Sequence, residues 1–109
     1  MNHEVQDSIS LELAQRIASG LPQHPEWIDI ARANLERWSR LNSNAPSLLR
    51  CYGEWEKLLQ RSISEICAVL TADTGEGQRI RQNSPFAGVI APDEVWEIKS
   101  RHRHATTAA

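Results

Sequence analysis

The sequence predicts an all-α fold, a compact single-domain bundle of five or six helices, on three observations. Apolar residues recur with a period close to 3.6 almost everywhere, and hardly any stretch alternates with period 2. Proline, glycine and capping residues punctuate the chain at helix-length intervals. At 109 residues, with 40% hydrophobic and 24% charged residues, the chain has material for one modest core and no room for a second.

The elements follow in order. Residues 1–6 read as a disordered N-terminus. Asp7 or Ser8 is placed to cap a first helix carrying Ile9, Leu13 and Ile17, which ends at Gly20 before Leu21-Pro22. Pro25 and Glu26 suit the first turn of a second helix of about 18 residues, near 27 Å long at 1.5 Å per residue. Trp27, Ile30, Ala31, Leu35, Trp38 and Leu41 fall on one broad face of it, and Arg32, Glu36 and Arg40 form i,i+4 pairs on the other. That length and pattern make it the expected central strut. Asn34 interrupts its apolar face, and a buried amide there needs partners, for which the backbone of the 83–91 loop is one source.

Asn44 and Pro46 open a third helix with Leu48, Tyr52, Trp55 and Leu59 inward and Gly53 on its polar side. Ser62-Ile63-Ser64-Glu65 is a capping-box pattern starting a fourth, striped by Ile63, Ile66, Cys67 and Leu70. Asp73 and Glu76 are spaced to cap a short fifth helix through about Gln82, with Ile80 inward. Asn83–Ala91 is irregular but apolar. Pro92, Asp93 and Glu94 then start a sixth helix, in which Val95, Ile98 and His102 share a face. The single helical domain is thus expected over 7–104, with a loose tail at 105–109.

Composition excludes several functions. A net charge of −2 gives no basic field to draw the molecule onto nucleic acid. Met1 to Asp7 is polar and no apolar run of membrane-spanning length occurs, so no membrane association and a cytoplasmic location are expected. Cys51 and Cys67 are too few and too far apart for a disulfide scaffold or zinc ribbon, and read as reduced core thiols. His102 and His104, two apart on a helix, point to different sides, so no metal or cofactor is expected. No Ser–His, Cys–His or paired-carboxylate set is evident, and no enzyme is expected.

The remaining signals concern binding. Ten arginines stand against only Lys57 and Lys99, and arginine makes planar, bidentate contacts that lysine cannot. Four tryptophans are present; Trp27, Trp38 and Trp55 are expected in the core, and Trp96 reads either as a further core ring or as an exposed interface anchor. Gly75-Glu76-Gly77 lacks the strand and the Gly-Lys-Ser/Thr of a phosphate loop. Residues 63–82 have the length of a helix-turn-helix, though their packing positions do not fit one.

The run Glu76-Gly77-Gln78-Arg79-Ile80-Arg81-Gln82-Asn83-Ser84-Pro85-Phe86-Ala87-Gly88-Val89-Ile90, followed by Pro92-x-Glu94-x-Trp96, resembles a signature of small bacterial helical proteins. His24-Pro25-Glu26-Trp27 and Asn34-Leu35-x-Arg37-Trp38 are similar to further parts of the same pattern. The resemblance carries no activity or catalytic residue. It implies a bacterial all-helical accessory protein, and some proteins of this pattern sit in mobile-element or toxin–antitoxin-like gene settings. The expected function is accordingly a small protein-interaction or regulatory module, antitoxin-like, that binds a protein partner. Its candidate partner-binding residues are Arg79, Arg81, Pro85, Phe86, Trp96, Lys99, Arg101 and Arg103. The alternative is a nucleic-acid-binding accessory protein using Arg79, Arg81 and the basic 99–104 segment.

Overall fold

Periodicity this uniform leaves the chain one way to bury its apolar stripes, which is helix against helix. The computed structural model describes residues 3–108, with side chains described for 4–104, and its described residues form six helices and no strand. These are α1 (His3–Gly20), α2 (Trp27–Leu41), α3 (Pro46–Leu58), α4 (Ile63–Leu70), α5 (Gly75–Arg81) and α6 (Pro92–Ala108). The fold is therefore all-α, as the period required.

α1 begins at His3, so Asp7 and Ser8 lie inside the helix and cap nothing. Of the segment expected to be disordered, residues 3–6 are helical, while Met1 and Asn2 lie outside the described residues. At the other end α6 runs on through Ala108, where a loose tail was expected; Ala109 and the side chains of 105–108 lie outside the described residues.

The central element is α1 rather than α2. α1 packs against α4, α5 and α6, whereas α2 packs chiefly on α3. Its 18 residues span about 27 Å, and Ala14 and Ile17, with Leu21 just past its end, turn into the main core. α2 has only 15 residues because Pro25 stands before it. There Trp27, Ile28 and Asp29 donate to the carbonyls three residues back, a tight 3₁₀-type turn that delays the α-helix until Trp27.

The core gathers Leu21, Leu35, Tyr52, Trp55, Ile66, Leu70 and Phe86. Trp55 is 2% exposed and meets the Phe86 ring edge-on at a centroid distance of 6.1 Å. Trp27 and Trp38 are only partly buried at the core's edge, with His24 stacked on Trp27 at 4.9 Å. Ser62 caps α4 as its pattern predicted, accepting from the Glu65 N–H at 3.2 Å. α5 is capped by Thr74 instead of Asp73, its hydroxyl accepting from the Gly77 N–H at 3.0 Å.

Gly53 lies inside α3 with open space where a Cβ would stand. Nothing in the packing needs its missing side chain. Gly53→Ala is therefore expected to stabilise the domain by about 0.5–1 kcal/mol, through lower unfolded-chain entropy. Thermal unfolding followed by circular dichroism checks this, with a midpoint rise of about 3–5 °C.

Candidate functional site

The 83–91 loop is built inward. Asn34, 5% exposed on α2, donates from Nδ2 to the carbonyls of Pro85 at 2.8 Å and Ala87 at 3.1 Å. Arg37 Nη2 donates to its Oδ1 at 2.6 Å, which fixes which way the amide points. The residue that breaks the α2 stripe thus clamps the loop, as a buried amide demands. Gly88 takes φ 90°, the only positive φ among the described residues, and turns the chain back toward α6. Pro85 and Phe86 consequently sit in the core and not on the surface, so neither is available to a partner.

Arg81 departs furthest from expectation. It is 5% exposed, and its Nη1 donates to the carbonyls of Leu70 at 3.1 Å and Ala72 at 2.7 Å. These carbonyls leave the C-terminal end of α4, where the helix dipole is negative and a cation is favoured. Arg81 therefore ties α5 to α4 and is removed from the partner-facing set. Its Nε finds no acceptor, and among the described residues no carboxylate pairs with it. The same Ala72 carbonyl presses on Gly77, where a Cβ would stand 2.1 Å from the oxygen. Gly77 and Arg81, four apart on the buried face of α5, are one packing unit.

Arg79 is exposed but occupied. It bonds Glu76 within α5 and reaches Glu54 of α3 at 2.8 Å. Those carboxylates, Glu76 first, raise its already high pKa, and Arg79 in turn holds the Glu76 carboxyl below its usual range. With Arg79 pinned and Arg81 buried, α5 has no pair of free arginines for a DNA groove. Nor does the basic end stand clear, since Glu12 of α1 takes a bond from Arg101 at 2.6 Å and one with His102 Nε2 at 2.8 Å. His102 first, then Arg101, holds the Glu12 carboxyl below its ordinary pKa. Lys99 and Arg103 are exposed on the same helix.

Between the core and exposed readings of Trp96, the structure leaves it outside. It is 69% exposed, because Val95 and Ile98 turn α6 onto α1 and the loop, leaving position 96 outward. Around it lie two inter-helix ion pairs, Arg16–Glu94 and Arg101–Glu12, each at 2.6 Å. They frame a depression of about 810 Å³ between α1 and α6, with Trp96, Glu97 and Ile98 in its wall. Arg16 and Glu12 were no part of the sequence expectation. Only pairing across α1 and α6, 78 to 90 residues apart, brings them to Trp96.

A second hollow, about 290 Å³, lies between α1, the loop and α6. Leu13, Ile17, Phe86, Ile90 and Val95 make its apolar walls, and Arg81, Ser10 and Ser84 are its polar ones. Elsewhere, Cys51 and Cys67 are free thiols, with burial pushing the Cys67 thiol up. Among the described residues no group of three His, Cys, Asp or Glu is placed to hold a metal ion. No described helix is long and apolar enough to cross a membrane. No family model matches the chain, and no curated protein or solved structure matches it either.

Proposed function

We infer that the chain is a small protein-interaction module that binds a protein partner through the α1–α6 face, with Trp96 as its anchor. The observation that carries this reading is the indole of Trp96, exposed over 69% of its surface inside a frame of ion-paired side chains. An aromatic anchor ringed by polar groups is the usual layout of an interface centre. Burying the exposed part of that ring, about 150 Å², is worth roughly 3–4 kcal/mol at ~25 cal/mol per Å². The pairs Arg16–Glu94 and Arg101–Glu12 already hold their long side chains in place, so a partner orders less on docking. The module acts by covering a partner's surface rather than by chemistry. Its resemblance to small bacterial accessory proteins fits an antitoxin-like, cytoplasmic role.

Trp96→Ala is expected to weaken the complex formed with the native partner at least thirtyfold, as for an interface hot spot. Leu41→Ala, at another exposed apolar residue (74%) far along the chain on α2, is expected to leave it unchanged. The measurement is co-purification from native lysate at low and moderate salt, followed by light scattering on each variant. A stoichiometric protein complex that persists as salt rises and is lost in Trp96→Ala supports the reading. Nucleic acid that departs steeply with salt, or a complex indifferent to Trp96, overturns it.

A further inference from the structure

The hollow between α1, the loop and α6 holds something the α1–α6 surface does not, a buried arginine beside apolar walls. A guanidinium carries five N–H donors. In Arg81 two of these go to the Leu70 and Ala72 carbonyls, and Nε is buried without an acceptor. Both partners it does have are neutral carbonyls, and beyond the negative end of the α4 dipole no carboxylate among the described residues offsets its charge. A buried cation in that state favours an anion beside it. Arg81 lines the hollow together with the hydroxyl residues Ser10 and Ser84. Leu13, Ile17, Phe86, Ile90 and Val95 line the rest of it with hydrocarbon, and Ala87 and Gly88 add loop backbone.

We propose that this hollow is a binding site for a small monocarboxylic acid with an apolar body, its carboxylate drawn to Arg81 and its hydrocarbon laid along α1, the loop and α6. Size sets the ligand. At about 290 Å³ the hollow sits at the lower end of small-molecule pockets, which suits a ligand of the size of octanoate. Polarity selects a free acid over the end of a peptide chain. A peptide carries further N–H and C=O groups into the site, with only Ser10, Ser84 and the short stretch of loop backbone at Ala87 and Gly88 to meet them, whereas a free acid brings none. The inference stands apart from the Trp96 reading, since Trp96 does not line this hollow.

The test is calorimetric titration of the full chain with octanoate, octan-1-ol and a short peptide ending in a free C-terminal leucine. Octanoate is expected to bind at one site, at least tenfold tighter than octan-1-ol. In a ¹H–¹⁵N spectrum it is expected to shift the Arg81 Nε–H resonance. Ser10→Phe puts a ring into the hollow from the middle of α1 and leaves Arg81 itself unsubstituted. It is expected to weaken octanoate at least tenfold while the far-ultraviolet circular dichroism stays unchanged. Equal binding of acid and alcohol overturns the assignment, because Arg81 then plays no part. Binding of the peptide alone, no binding of octanoate, or octanoate binding that ignores Ser10→Phe overturns it as well.

Discussion

Trp55→Ala is expected to destabilise the domain by about 3–5 kcal/mol, the range for truncating a fully buried tryptophan. Three losses add at this position. The ring is 2% exposed and leaves a large hole in the main core. Its edge-to-face contact with Phe86, at 6.1 Å and 79°, disappears, and Phe86 is the residue by which the 83–91 loop grips the bundle. Its Nε1–H, which donates to the Ile80 carbonyl at 3.0 Å, no longer ties α3 to α5. A domain of this size has about 5–10 kcal/mol in total, so the variant retains a small part of its margin. Trp55→Phe separates the contributions. It keeps an aromatic ring near Phe86 but leaves the Ile80 carbonyl with the Asn83 N–H at 3.3 Å as its remaining donor outside the helix ladder, for a cost of about 1–2 kcal/mol. Urea unfolding followed by circular dichroism measures both. A Trp55→Ala cost below about 1.5 kcal/mol, less than the transfer of such a ring alone, would show that the site collapses around the gap.

Trp55 was legible because an inward position on a 3.6-residue stripe and a large ring agree. Local rules that involve a few neighbouring residues were legible in the same way. The Ser62 cap and the proline at the start of α3 follow from backbone chemistry within one turn. Asn34 was legible one step further, since a polar group on an apolar face has to find acceptors and an irregular loop offers unpaired carbonyls. What the pattern could not give was which side of that loop faces in. Pro85 and Phe86 suit a rigid surface turn and a buried anchor equally well. The Asn34 clamp decides between them, because both carbonyls it holds belong to that loop, one of them Pro85's.

The candidate surface was legible only in part, for a related reason. Trp96 suited a core ring and an interface anchor alike, and its exposure follows only once Val95 and Ile98 seat α6 on its neighbours. Its frame was not legible, because Arg16 and Glu12 reach it only once α1 and α6 pack. The central place of α1 was hidden by its pattern. Its buried line includes the small Ala14, while Leu13 is only half buried. α2, with the stronger stripe, therefore looked like the strut. Arginine defaults to the surface in any reading by residue type, and so Arg81 was placed with Arg79 as a partner-facing pair. The available signal was positional, since Arg81 lies four residues after Gly77. The face on which a glycine allows close approach is the face that packs.

Arg81→Leu tests that packing unit, with an expected cost of about 2–4 kcal/mol. Leucine keeps an apolar stem in the core but strands the Leu70 and Ala72 carbonyls, each worth about 1–3 kcal/mol when buried unpaired. Removing a poorly compensated buried cation returns part of that. Arg81→Lys is expected to fall between, since an ammonium keeps the charge, but its shorter reach sets it back from the two carbonyls that Nη1 alone now meets at 2.7 and 3.1 Å. Gly77→Ala strikes the same knot from the other side, because its Cβ would stand 2.1 Å from the Ala72 oxygen and force that carbonyl away from Arg81. Each single change therefore breaks the Arg81–Ala72 bond, and the second has less left to break. The double variant is expected to cost at least 1 kcal/mol less than the sum of the two, as neighbours sharing one partner do. Chemical denaturation of the wild type, both singles and the double closes the cycle. Additivity within about 0.3–0.5 kcal/mol would mean that Gly77 and Arg81 hold the α4–α5 corner independently.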